Sequence, residues 1–372
     1  MVRKGALMKV AIMGAGLSGL SCAKYLEDNN LEPVIFEKRH RVGERFPNME
    51  AVMQLIHRPI KDPIIYINKK YGLNLMPAGI THTLEINSPN NKAILTSENL
   101  GYTTIRGHDD RSWECQLARQ IKTKIHYDST VTWQELEKDF DWVIIATGDA
   151  TISRELGVWT TDTEAFLKGC LVKGKFDLGV SKIWLNTKLS KKCMVYFAPF
   201  STTEASYCTV AIPSSPEELD ILWSRTVEEL NFEPIPQTEF KYEEFKLGRV
   251  STRQIRKILL TGSAAGFVEP FMGFGQIPSI LSGLHAAESI ITGKDYNKLT
   301  TWFDKQYAYC LILRKFADSL DNEGFDKLVA SLNSPIFKNL LANTNISVLR
   351  LAAKAVRSKN FIKESLSRNK TN

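Results

Sequence analysis

Nowhere in the 372 residues does an apolar run reach the length of a membrane span; even the stretch 267–291 carries Glu269, His285 and Glu288. Charge of one sign is also scarce. Lys and Arg number 48 against 41 Asp and Glu, a net +7, and the two signs are interspersed. That pattern gives no footprint for nucleic acid, although a small basic surplus suits a phosphate-rich ligand or an anionic membrane surface. Cysteine is limited to Cys22, Cys115, Cys170, Cys193, Cys208 and Cys310, with no CxxC and no metal-type spacing. A zinc site and a disulfide framework are thereby excluded, and the thiols read as buried and reduced. Met1-Val2-Arg3-Lys4 imitates the start of a secretion signal, but a glycine turn opening at Gly14 argues against one. The expectation is a cytoplasmic protein. At 43% hydrophobic and 24% charged residues the chain is ordinary globular material, long enough for two domains.

What is present is concentrated between Lys9 and Glu37. An apolar run, Val10-Ala11-Ile12-Met13, turns through Gly14-Ala15-Gly16-Leu17-Ser18-Gly19 into a helical pattern reaching about Asn29, and Val34-Ile35-Phe36 then ends on Glu37. This is a strand, a glycine turn, a helix and a second parallel strand. Gly14 allows the tight turn, Gly16 lets a pyrophosphate approach the backbone, and Gly19 lets helix and sheet pack closely. The free N–H groups and dipole of the helix N-terminus favour the anion, and Glu37 is placed to accept hydrogen bonds from a ribose hydroxyl. An acid there disfavours a 2′-phosphate, so the ligand is an ADP-containing dinucleotide other than NADP.

The basic loop 38–45 follows, where Lys38 or Arg45 would offset the pyrophosphate charge unless the loop is simply solvated. From 46 to 104 the mixed pattern, with Pro47, Pro59, Pro63, Pro77 and Pro89, suits an insertion of short strands and turns. Trp113, Leu117 and Ile121 recur at helical spacing. Lys124–Tyr127 and Ser129–Val131 are short strand candidates, and 140–148 is a buried strand whose end, Ala146-Thr147-Gly148, should face the same dinucleotide. From Trp159 to Glu244 alternating strands and a helix over Pro216–Leu230 suggest an antiparallel sheet with a covering helix. Lys257–Gly262 returns to the buried-strand pattern and runs through a glycine-rich passage into a helix over Gln276–Thr292, a second helix N-terminus aimed at the ligand. The remainder is helical, and its basic, amphipathic tail, 354–372, is either a membrane-surface contact or a solvated terminus. The expected domains are 1–45, 105–157 and 250–295 for the dinucleotide, 46–104 and 158–249 for substrate, and a helical region 296–372.

Three places, the N-terminal fingerprint, the 141–148 strand and the 260–275 passage, resemble in that order the flavoprotein family of para-hydroxybenzoate hydroxylase and the geranylgeranyl reductases. Leu260-Thr261-Gly262-Ser263-Ala264-Ala265-Gly266 is similar to that family's GDAA motif, Pro270-Phe271-Met272-Gly273-Phe274-Gly275 to its P-x-x-G-x-G, and 146–157 to its A-D-G-A-x-S-x-x-R-x-x-G. The resemblance implies an α/β fold: a Rossmann-like FAD-binding domain of the glutathione-reductase type, an inserted antiparallel substrate sheet and C-terminal helices. It implies FAD held by Gly14, Ala15, Gly16, Ser18, Gly19, Glu37, Lys38, Arg45, Ala146, Thr147, Gly148, Gly262, Ser263, Pro270, Gly273, Gly275 and Gln276, with the isoalloxazine between the nucleotide-binding part and the second sheet. Amides near Gly273 and Gly275 would stabilise negative charge at the flavin N1–C2 edge.

The departures are specific. Ser263 and Thr147 replace two family aspartates, and a serine bond to the ribityl chain is not charge-assisted and is weaker. The halogenase W-x-W-x-x-P is missing, as is the cysteine some archaeal reductases carry after the Gly43-type loop. Tyr196-Phe197-Ala198-Pro199-Phe200 resembles the aromatic–proline strand of the reductase pocket without its tryptophan, and is otherwise plain sheet core. Tyr196, Phe200 and Phe271 are the expected substrate contacts. The implied activity is reduction of carbon–carbon double bonds in an apolar, isoprenoid-like small molecule. The alternatives are a monooxygenase using NAD(P)H and oxygen, or a non-redox binding protein on the same fold. No side chain stands out as a proton donor.

Overall fold

The structure is a computed structural model that describes residues 8–44, 49–212, 215–235 and 238–368, with the backbone alone for 242–245, 342 and 359–368. The strands in chain order are β1 (Val10–Met13), β2 (Val34–Phe36), β3 (Met49–Met53), β4 (Gly79–Asn87), β5 (Lys92–Ile105), β6 (Ile125–His126) and β7 (Trp142–Ile145). They continue with β8 (Trp159–Lys173), β9 (Val180–Trp184), β10 (Met194–Pro199), β11 (Glu204–Ala211), β12 (Phe240–Val250), β13 (Gln254–Ile255) and β14 (Ile258–Leu260). The helices are α1 (Leu17–Asp28), α2 (Gln54–His57), α3 (Pro63–Tyr71), α4 (Trp113–Ala118), α5 (Trp133–Asp139), α6 (Thr151–Glu155) and α7 (Thr187–Ser190). After these come α8 (Pro216–Leu230), α9 (Gln276–Thr292), α10 (Tyr296–Asp318), α11 (Asn322–Leu332), α12 (Pro335–Asn343) and α13 (Val348–Arg368).

One sheet has the order β13-β14-β7-β1-β2-β6 and is parallel except for the β13–β14 edge. Its central strands carry unbroken apolar runs because both faces are covered: all of Val10–Met13 and of Ile258–Leu260 is buried. Leu20, Cys22, Ala23 and Leu26 of α1 pack on one face with Ile277, Ile280 and Leu284 of α9. This is the mixed α/β, Rossmann-like arrangement the glycine turn demands.

The second sheet has the order β12-β8-β11-β10-β9-β4-β5-β3. It is antiparallel except where β4 meets β9, which pair in parallel from Thr83↔Val180 to Asn87↔Trp184. The expected antiparallel sheet is present, with this one parallel pairing inside it. β4 and β9 arrive from two separate excursions of the chain, so no hairpin dictates their direction. Ser129–Val131, read as a strand, is a loop.

The C-terminal helices close the far side of this sheet, with Leu313, Val329, Leu341, Leu349 and Ala353 in one core with Leu84, Ile86, Leu95 and Ile183. The first half of α13 is amphipathic because Leu349 and Ala353 face that core while Arg350 and Lys354 are exposed. The final residues of the basic tail, 369–372, lie outside the described residues. Among the described residues no helix is long and apolar enough to cross a membrane.

Candidate dinucleotide and substrate sites

β1 hands the chain to α1 through a turn whose geometry depends on missing side chains. Gly14 has φ +108°, and a Cβ built on it would lie 2.4 Å from Ala146 O. Its N–H donates to Phe36 O at 2.8 Å, and Ala146 N–H donates to Met13 O at 2.8 Å, so β2, β1 and β7 end level with one another. Gly16 is the N-cap of α1 and makes no side-chain cap bond, leaving the first N–H groups of the helix to point outward. A Cβ on Gly16 would meet nothing within 4 Å, whereas one on Gly19 would lie 2.0 Å from Gly14 O. Gly16 therefore borders open space, and Gly19 sits in the helix–sheet contact.

That open space is a cavity of about 230 Å³. Gly14, Ala15, Gly16, Ser18, Glu37, Lys38, Ala146, Thr147, Gly148, Gly262, Ser263, Gly273, Gly275 and Gln276 all line it, as does the Ser129–Val131 loop. Glu37 is buried at its edge, with Oε2 accepting from Ala15 N–H at 2.8 Å and Oε1 from Arg39 N–H at 3.0 Å. Pro270 lines a different cavity, and Arg45 lies outside the described residues.

The opposite wall is the start of α9. Its N-cap, Gly275, also lacks a side-chain cap. α9 lies tight on α1: a Cβ on Gly283 would fall 2.0 Å from Ser18 O, and the Ser21 hydroxyl lies 3.1 Å from Ile280 O. Two uncapped helix N-termini thus converge on one cavity. They fit an anionic dinucleotide: Gly16 leaves the space a phosphate needs, the helix ends supply N–H donors, and Glu37 supplies an acceptor for a ribose.

Between Phe267 and α9 the chain folds around a residue to which its sequence gave no role in the site. Glu269 is fully buried, and its carboxylate accepts from the N–H groups of Phe271 (2.8 Å), Met272 (3.0 Å) and Phe274 (3.1 Å). Burial pushes this carboxyl up, and the amides oppose that. Gly273 N–H is spent on Glu269 O at 3.1 Å. With the Gly273 N–H so engaged, Gly275 and the start of α9 are the donors this wall can offer a ligand.

Beyond the wall lies a second cavity of about 120 Å³, set on the larger sheet. Leu84, Met194, Tyr196, Phe271, Met272 and Phe274 are among its apolar lining, with Lys182 and Arg314 also present. Glu50 and Gly273 border both cavities. Tyr196 and Phe271 line this cavity, the Tyr196 hydroxyl donating to Met49 O at 3.2 Å. Phe200 does not: it follows the end of β10 and packs with Met49 and Ile105 in a separate cluster, because the tight turn back to Glu204 carries its ring away.

Three further charged residues were not legible in the sequence. Arg106 directly follows β5 and joins Glu50 Oε2 through Nη1 at 2.8 Å and Glu114 Oε1 through Nε at 2.7 Å. All three line the larger cavity. They are separated by 56 and 8 residues in the chain, with no periodicity to connect them.

Residues 12–55 match the family described as NAD(P)-binding Rossmann-like domain. Over 36 residues the chain is 58% identical to 15-cis-phytoene desaturase of Synechococcus elongatus, a match spanning 10% of this chain and 8% of the desaturase. A geranylgeranyl bacteriochlorophyll reductase-like protein of Thermoplasma acidophilum superposes with a TM-score of 0.69 at 17% identity, covering 96% of this chain and 99% of that one. CmlS, a flavin-dependent halogenase, superposes with a TM-score of 0.62 at 16% identity over 94% of this chain and 70% of its own. At such identities the likeness is one of fold, and it holds although the halogenase sequence motif is missing. The chain has the fold of FAD-dependent oxidoreductases, with a Rossmann-like domain, a second sheet and C-terminal helices.

Proposed function

We propose that the protein is an FAD-dependent oxidoreductase that reduces carbon–carbon double bonds of an apolar, isoprenoid-like substrate. The observation that carries this reading is the apolar cavity on the larger sheet, which meets the dinucleotide cavity at Glu50 and Gly273. When bound, the flavin supplies hydride transfer, and the protein supplies position and electrostatics. The N-termini of α1 and α9 hold the anionic parts of the cofactor, and Glu37 takes a ribose. Gly275 and the first turn of α9 present N–H groups to charge that develops at the ring. Glu269 fixes the wall 271–274, so that Phe271, Met272 and Phe274 keep an apolar chain against the cofactor and exclude water. Ser263 stands where the resembling family has a ribityl aspartate, so cofactor affinity is expected to be lower than with a charged partner.

The test is a titration of purified protein with FAD followed by anaerobic photoreduction and addition of geranylgeraniol. Uptake of FAD with quenching, then reoxidation by the alkene with formation of its saturated product, is the expected result. A protein that takes up no FAD removes the redox reading altogether. A peroxyflavin band on exposure to air, with no reaction of the alkene, replaces the reductase by a monooxygenase.

A further inference from the structure

Adding hydrogen across a double bond takes a proton as well as a hydride, and the junction of the two cavities contains a group that can hold one. Among the described residues Glu50 is the one carboxylate that borders both cavities. It sits on β3 opposite Thr104 of β5, two residues before Arg106. The guanidinium of Arg106 touches Glu50 at 2.8 Å and Glu114 of α4 at 2.7 Å. Burial works against the charge on Arg106, but Glu114 and Glu50 together hold it fully protonated.

Two carboxylates on one guanidinium leave one negative charge over. Glu114 is 3% exposed, and its Oε2 is buried with no hydrogen-bond partner among the described residues. An ionised oxygen without a partner in such a place is costly, and a neutral carboxyl is much less so. Burial raises the Glu114 carboxyl, Arg106 and the residue's own N–H oppose, and Glu50 adds a smaller upward push. The unpartnered Glu114 oxygen calls for one proton in the cluster.

We propose that the Glu50–Arg106–Glu114 cluster holds one proton between its two carboxyls and that Glu50 gives it to the substrate carbon beside the one that receives hydride. The inference rests on the reductase reading above. Both electrons of the reduction arrive with the hydride from the reduced flavin. The π pair of the double bond forms the new bond to the proton, and the Glu50 O–H bond breaks with its electrons left on oxygen. No oxidant is consumed. The Glu50 carboxylate so formed already faces Arg106, and its side chain, 29% exposed, regains a proton from water. Arg106 and Glu114 are positioning residues: they set which carboxyl is ionised and where it points.

Two measurements test this. Infrared difference spectra of wild-type protein against Glu114→Gln and Glu50→Gln at neutral pH should show the carbonyl stretch of a protonated carboxyl, shifted in D₂O and missing from at least one variant. This readout needs no turnover and stands whether or not FAD or the alkene is accepted. If all three proteins share the same carbonyl bands, the proposal is overturned. In the photoreduced holoprotein, Glu50→Gln should slow reoxidation by geranylgeraniol by about a hundredfold. Reoxidation by ferricyanide, which protonates no carbon, should keep its wild-type rate. Equal alkene rates in variant and wild type overturn the proton-donor role. A wild type that ignores geranylgeraniol counts against the substrate reading, and the infrared bands then decide the proton.

Discussion

Three glycines within six residues make different demands, and the difference separates binding from folding. Gly19→Ala places a methyl 2.0 Å from Gly14 O, where backbone on both sides prevents relief. The cost is expected to be about 1–3 kcal/mol, the range of an overpacked core. Gly16→Ala places the same methyl in open space, at a position whose φ of −89° any residue adopts. Its effect on the melting temperature should be small, while FAD affinity falls by about tenfold or more, the loss of about 1.4 kcal/mol of binding. Thermal melts of both variants without FAD, followed by titrations, check the pair. Equal FAD affinity in Gly16→Ala and wild type would remove the pyrophosphate from that spot.

Elements bring these residues together, and the decisive pair is α1 against α9. Gly283 lets the two helix backbones touch, since its missing Cβ would fall 2.0 Å from Ser18 O. Gly283→Ala is expected to cost about 1–3 kcal/mol by forcing the helices apart. Unlike Gly16→Ala, it should weaken FAD binding and lower the melting temperature together, because both N-termini move off the cavity; loss of stability with unchanged affinity would show that the helix ends do not act as a pair. This part of the molecule was legible in the sequence. The turn, α1 and α9 are made by neighbours in the chain, and α9 and α8 run over the very residues their patterns marked, Gln276–Thr292 and Pro216–Leu230. What escaped was made through space. The parallel β4–β9 pairing, the Glu269 cradle and the Glu50–Arg106–Glu114 cluster each join groups whose partners no local pattern names. Phe200 falls outside the second cavity for a similar reason, since a residue's strand neighbours do not say on which side of the next turn its ring falls.

At the scale of the whole molecule, two histidines are held in packed places, His57 on α2 and His285 on α9, and they contribute to how the fold responds to acid. His57 ends α2, the short link whose Ile56 O accepts from Gln306 of α10 at 3.0 Å and whose neighbour Arg58 donates to Leu340 O of α12 at 3.1 Å. Burial lowers the His57 pKa from 6.5 to about 3. His285 of α9 lies 3.5 Å from Trp302 Nε1 and 3.4 Å from the Tyr71 hydroxyl, and burial lowers it to about 4. In the unfolded chain each ring binds a proton below about pH 6.5, and in the folded protein it does not. The unfolded state therefore takes up more protons in that window. Stability is complete above about pH 6.5 and falls as the pH drops toward 4 for both rings, and toward 3 for His57 alone. Each ring contributes a slope of at most about 1.4 kcal/mol per pH unit. Carboxylates add their own acid dependence, so the informative quantity is the difference between proteins. Urea melts of wild type and His57→Gln at pH 7, 6 and 5 should show the variant losing less stability per unit, by up to that slope. Parallel curves would mean that His57 already carries its proton in the folded protein, and that the packing of α2 against α10 and α12 is looser than its buried ring requires.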